Sequence, residues 1–174
     1  TGNTKWSTSP LPPPMVTSGG FLVMGLSGNT RIHNLPSRFM KLLIDSSVYI
    51  AFFKDSDVFH KESVTFIEKL SEDKNVSIVL PILVFLEIAN VLYKKLNSFD
   101  EKKLLSSFNK YEKVDLNFES AADFMLLFKK VNLRTSDAII ASSAKMENAA
   151  LVTWDEKLVK EAKKLADVQT PTML

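Results

Sequence analysis

The chain has 174 residues, 45% of them hydrophobic, and a formal net charge of +2. That length supports one well-buried domain rather than two, and the small charge offers no strong field toward a nucleic acid or a membrane. Cysteine is absent, which excludes disulfides, thiolate zinc sites and a cysteine nucleophile, and fits a reducing, cytoplasmic compartment.

Composition changes sharply at Met40. All five glycines and five of the seven prolines lie in residues 1–39. That stretch carries Lys5, Arg31 and Arg38 and no acid, and no helical or strand period persists in it. It is expected to be a flexible extension, either an expression leader or translated upstream sequence, with Met40 as the natural start. The alternative is a basic arm that touches nucleic acid. The apolar run 20–26 is too short to span a bilayer and lacks the cleavage pattern of a signal peptide.

From residue 40 to 174 strands and helices alternate. Lys41–Ile44 is a short apolar run fit for a buried strand. Residues 58–71 place Phe59, Phe66, Ile67 and Leu70 at helical spacing. A second strand, Val76–Leu80, is stopped by Pro81, and a helix follows over 82–96. Ser98 and Glu101 form a capping-box pattern that opens the next helix, with Leu104, Leu105, Phe108 and Tyr111 on one face. A weaker strand is expected at Val114–Leu116, then helices over 118–130 and from about Thr135. A fourth strand spans Ala150–Thr153, a helix 156–166, and a short fifth strand Val168–Thr170. Such alternation predicts an α/β domain whose parallel sheet is covered on both faces. Ligands of such sheets bind beyond the carboxyl ends of the strands.

Acidic residues collect at that edge. Asp45 directly follows the first strand and Asp155 closely follows the fourth. Each has an ordinary alternative role as the N-cap of the helix after it. Glu87 lies in a helix where three of its four nearest positions, 83, 84 and 91, are apolar. A carboxylate there is costly unless it is paired with a Lys or Arg or bound to a metal. Asn90, one turn on, can orient Glu87 or a water, or serve as a core amide. Asp137 falls in the first turn of the helix that Thr135 or Ser136 can cap, where negative charge is favourable in any case. Taken together, four converging carboxylates stay ionised only with a cation among them. Two histidines, His33 and His60, are too few for an ordinary zinc site, so a hard divalent ion held by oxygen fits best. Phosphodiester hydrolysis is the chemistry such a site suits.

Four segments carry a resemblance. Leu43–Ile50 (Leu-Ile-Asp-Ser-Ser-Val-Tyr-Ile), Glu87–Leu92, Leu133–Ala141 and Leu151–Lys157 stand in the order and spacing of the PIN-domain nucleases. Among these the chain looks most like the VapC-type toxins of prokaryotic toxin–antitoxin pairs, from Met40 to about Gln169. The resemblance implies a three-layer α/β/α sandwich, Mg2+ or Mn2+ as cofactor, and RNA as substrate. It makes Asp45, Glu87, Asp137 and Asp155 the catalytic metal ligands. Ser46 and Thr153 match supporting hydroxyl positions, and Ser136 and Asn90 are the other candidate supports. Arg134, three residues before Asp137, is the best candidate for holding the substrate backbone, ahead of Lys94, Lys95, Lys129 and Lys130. Trp154 stands where a smaller or more polar residue is common. The family implies a homodimer and, for the toxin branch, an antitoxin partner; no membrane association is expected.

Other families fit less well. A haloacid-dehalogenase-type phosphatase needs a second Asp at position 47, which is Ser. A receiver domain needs an acidic pair after the first strand, where Asp45 stands alone. Dinucleotide and P-loop folds need glycines in the first turn, and residues 40–174 contain none. A housekeeping RNA-processing nuclease and a non-catalytic PIN-fold binding module remain as alternatives within the family.

Overall fold

Leu42, Leu43 and Ile44 are completely buried. That is why the first apolar run shows no alternation: it is the middle strand of a sheet covered on both faces. The computed structural model describes residues 40–96 and 100–174. The extension over 1–39 and Ser98 of the expected capping box lie outside the described residues.

Strands β1 (Met40–Ile44), β2 (Val76–Pro81), β3 (Glu112–Val114), β4 (Ala150–Val152) and β5 (Val168–Gln169) form one sheet in the order β3-β2-β1-β4-β5. Every pairing is parallel, with Leu42 opposite Ile78 on one side and Ala150 on the other. The connecting helices are α1 (Ser46–Phe53), α2 (His60–Glu72), α3 (Ile82–Lys95), α4 (Glu101–Ser107), α5 (Ala121–Phe128), α6 (Thr135–Met146) and α7 (Glu156–Ala162). α1 packs on α2 and α3, and α6 packs on α5 and α7. The result is the α/β/α sandwich expected from the alternation. α3 shows the packing logic: Val84, Ile88 and Leu92, one turn apart, are buried, while Ile82 and Leu86 are exposed. Among the described residues no helix is long and apolar enough to cross a membrane.

Several boundaries differ from expectation, each for a local reason. β3 spans 112–114 rather than 114–116. Its partner β2 ends where Pro81 pairs with Val114, and α3 begins at the next residue, so Asp115 and Leu116 have no ladder to join. The cap of α4 is Asp100, whose carboxylate accepts from Lys103 N at 3.0 Å. On this short helix Leu104 and Phe108 are buried, but Leu105 is 55% exposed. α5 starts at Ala121, not 118, because Asn117 Oδ1 accepts from Ser120 N at 2.9 Å and holds the preceding turn. α7 ends at Ala162 rather than 166, although Leu165 remains buried. Phe59 is the N-cap of α2 rather than part of its face.

With no glycine after residue 39, one helix end must find another residue for the left-handed region. Asn148, φ 49°, takes it after α6. Ala149 N donates to Ala144 O at 2.9 Å and Asn148 N to Lys145 O at 3.2 Å, the paired bonds of a Schellman ending. Asn148→Gly is therefore expected to hold or raise stability by a few tenths of a kcal/mol, whereas Asn148→Val should cost about 1–2 kcal/mol, read by urea melts.

A second expectation concerns alkaline pH. Burial drives the Tyr49 hydroxyl well above its usual pKa of 10.0 and Tyr111 to about 12. Unfolded tyrosines ionise near pH 10 while the folded ones keep their protons. Their contribution is thus fully present below pH 10 and is lost as pH rises above it, through about 12 for Tyr111. Stability should fall by about 1.4 kcal/mol per pH unit for each such tyrosine in that window, and Tyr111→Phe should make the fall shallower in melts run from pH 9 to 12.

Candidate active site

The sheet order reverses between β1 and β4: β2 and β3 extend on one side, β5 on the other. A crevice opens at the carboxyl ends of strands at such a point. Asp45 N donates to Val152 O at 2.9 Å, so the ladder sets Asp45 beside the residue that ends β4. Thr153 Oγ1 accordingly donates to Asp45 Oδ2 at 2.8 Å. Ser47 supplies two more donors to the same oxygen, its hydroxyl at 2.6 Å and its amide at 3.3 Å. The two hydroxyls, 3.2 Å apart, in turn accept from the backbone: Ser47 Oγ from Trp154 N at 3.1 Å and Thr153 Oγ1 from Asp155 N at 3.0 Å. Each hydroxyl has one proton and spends it on Asp45. The network therefore converges on one acceptor, Oδ2 of Asp45.

Burial works against a negative charge there. Asp45 is 4% exposed, and among the described residues no Lys or Arg pairs with it. Desolvation raises its pKa, and the bonds from Ser47 and Thr153 only partly oppose the rise.

Glu87 lies half-buried on α3. Its partner is not the Lys or Arg that an ordinary buried Glu would need but Ser46, whose hydroxyl donates to Oε2 at 2.6 Å. Burial raises the Glu87 pKa first; Ser46 pulls it down, and the charges of Asp45 and Asp137 push it up. α3 touches α6, which brings Asp137 into this field. Asp137 is in the first turn of α6, with Ser136 Oγ 3.3 Å from its Oδ1. Neither Thr135 nor Ser136 is the cap; the N-cap position is Arg134, which makes no side-chain cap. Three of the four acids thus share one electrostatic environment.

Asp155 differs. It is exposed, and its carboxylate accepts from Leu158 N at 2.8 Å as the N-cap of α7. The capping role that the sequence left open is filled. Asp155 still joins the cluster through its amide, which bonds Thr153. Asn90 is exposed, so it is not a core amide, and among the described residues it makes no hydrogen bond to Glu87. Arg134 is exposed and, among the described residues, has no ion-pair partner. Ser47 was missed by sequence reasoning. The available signal was the hydroxyl two residues after Asp45, a spacing at which Asp commonly accepts from backbone and side chain.

Among the described residues no three Asp, Glu or His side chains stand close enough to cage an ion unaided. The chemistry of the donors nevertheless suits one. They are all oxygen, they repel one another, and among the described residues no basic side chain pairs with them, which is the situation a hard divalent cation relieves.

Residues 42–164 match the family model described as the PIN domain. No curated protein matches the chain at the sequence level. Solved structures similar to it include FitAcB from Neisseria gonorrhoeae, at 16% identity and a TM-score of 0.58, covering 76% of this chain and 99% of that one. VapBC-1 from nontypeable Haemophilus influenzae is 17% identical with a TM-score of 0.54, covering 76% and 99%. VapBC2 from Rickettsia felis, bound to a promoter DNA fragment, is 19% identical with a TM-score of 0.52, covering 75% and 98%. At these identities the likeness is one of fold.

Proposed function

The chain belongs to the PIN domain family, and from that premise we propose that it is a metal-dependent endoribonuclease and the toxin of a toxin–antitoxin pair. The observation that carries this is the buried, hydroxyl-held Asp45, which has no basic partner among the described residues and lies in one field with Glu87 and Asp137. Asp45, Glu87 and Asp137 are the residues to hold the ion, with Asp155 contributing from the end of β4. A bound magnesium or manganese ion supplies Lewis-acid charge stabilisation at the phosphodiester and easier deprotonation of water near neutral pH.

The chain's own residues do the positioning. Ser47 and Thr153 lock one oxygen of Asp45. Ser46 aims Glu87 across from α1. Ser136 touches Asp137. Arg134, exposed and unpaired three residues before Asp137, binds a backbone phosphate of RNA. For the partners, support comes from two sides. Ile82, Leu86 and Tyr93 form an exposed stripe on α3, joined in type by Met125 and Leu126 on α5, and such apolar surface suits a homodimer. A similar solved structure from Klebsiella pneumoniae, at 18% identity and a TM-score of 0.56, is a toxin–antitoxin complex, which favours a cognate antitoxin over a housekeeping role.

The test is cleavage of labelled RNA by the purified chain with magnesium or manganese. Activity should appear with metal and vanish with a chelator. Cleavage that survives chelation would sink the mechanism, and a chain that binds metal but never cuts RNA would point to a non-catalytic module.

A further inference from the structure

Phe59 and Trp154 are far apart in sequence, and neither takes part in the proposed mechanism. Their rings nevertheless stack face to face, centroids 4.3 Å apart and planes within 8°. Other close ring pairs among the described residues are edge-on or tilted: Tyr49 with Phe108 at 72°, Phe52 with Phe53 at 83°, Phe124 with Phe128 at 48°. Both edge-on and offset-stacked arrangements are favourable for ring pairs, and of these pairs only that of Phe59 and Trp154 is parallel. The parallel pair is also partly open, with Phe59 39% exposed.

Hydrogen bonds hold the Trp154 side chain and the backbone on both sides of the pair. Trp154 Nε1 donates to the buried Ser63 Oγ at 2.8 Å, and its backbone N to Ser47 Oγ at 3.1 Å. Phe59 N donates to Asp57 Oδ1 at 3.1 Å. The position follows from chain direction. α2 ends near Asn75, whose carbonyl accepts from Met40 N at the amino end of β1. Its start, with Phe59 and Ser63, is therefore at the carboxyl edge, beside Trp154. The Ser47 hydroxyl that holds Trp154 is the one that donates to Asp45. The backbone of Trp154, on whose ring Phe59 stacks, thus stands two hydrogen bonds from the acid at the centre of the site.

We infer that Phe59, backed by Trp154, is a stacking platform for an unpaired RNA base next to the scissile phosphate. Unstacked bases of single-stranded RNA are commonly held on aromatic faces, and every base has a face to offer. The platform favours flexible single-stranded segments over duplex, whose bases are already stacked. This inference rests on the nuclease reading for its substrate.

The experiment uses the full chain, a short end-labelled oligouridylate, and an abasic ribose-phosphate oligomer of equal length and charge. Affinity is read by stopped-flow anisotropy with magnesium, before turnover, and steady-state cleavage is measured alongside. The wild type should prefer the base-bearing oligomer. Phe59→Leu keeps the apolar cover of α2 but has no ring; it should lose roughly tenfold in affinity for that oligomer and none for the abasic one. The loss should appear in KM and not in kcat, and Phe59→Tyr should restore it. Equal binding of the two oligomers by the wild type, or an unchanged KM in Phe59→Leu, overturns the platform while the nuclease assignment stands. Base-selective, Phe59-dependent binding without any cleavage overturns the nuclease assignment and supports the platform.

Discussion

Asp45→Asn is expected to reduce RNA cleavage by on the order of 10³-fold or more, since the Lewis-acid contribution at stake is several kcal/mol and each 1.36 kcal/mol is tenfold in rate. The same substitution should leave the metal-free protein at least as stable as its parent. The two expectations have one cause. The Asp45 carboxylate is buried and its pKa is raised, mainly by desolvation. The fold therefore prefers the protonated form. That preference stabilises the protein fully below the unfolded carboxylate pKa and is lost as pH rises through the folded value. At neutral pH without metal, the ionised side chain is a cost, and a neutral amide of the same shape removes it. Asn Oδ1 can still accept from Ser47 and Thr153, so the network need not collapse. Magnesium or manganese should raise the melting temperature of the wild type, because a ligand that binds only the folded state stabilises it. The variant should show little or no rise. Paired melts and cleavage assays check this. Undiminished metal-dependent cleavage in Asp45→Asn would sink the site assignment, and a large drop in its metal-free stability would mean that Asp45 is a structural acid.

Phe108→Ala is expected to destabilise the fold by about 3–5 kcal/mol, the usual range for emptying a buried aromatic site. Phe108 is 1% exposed at the end of α4. Three rings meet it edge-on: Tyr49 at 5.3 Å, Phe85 at 5.6 Å and Tyr111 at 5.3 Å. They come from α1, α3 and the approach to β3, so one side chain ties three separate segments together. Against a total stability of about 5–15 kcal/mol for a domain of this kind, the loss is large. Urea melts should show a lower midpoint with an unchanged slope. Phe108→Leu should cost clearly less. Because Phe108 is outside the hydrogen-bond network of the acids, the folded fraction of either variant should keep its specific activity. An activity loss that exceeds the unfolded fraction would contradict this separation.

Much of the site was legible because it depends on local position. Apolar runs with no alternation mark central parallel strands, and the residue after such a run must stand at the carboxyl edge. That places Asp45 and Asp155 without a structure. Glu87 was legible because a carboxylate among Leu83, Val84 and Val91 has a desolvation cost to meet. What the sequence left undecided were the choices between two local uses of one side chain. Asp155 can cap a helix as well as stand at the site, and its Oδ1 caps α7. Asn90 can support the site or fill the core, and its exposure rules out the core.

The amino-acid sequence by itself determined the order of strands and helices, the parallel sheet, the edge at which the acids gather and the family. These follow from hydrophobic period and strand-end position, which are properties of short segments. Only the tertiary structure decided the limits of β3, the exchange of Lys or Arg for Ser46 as the partner of Glu87, the role of Ser47, and the stacking of Phe59 on Trp154. Each joins segments separated in the chain. Their geometry is set by strand register and helix packing, and no local pattern encodes which two side chains will meet.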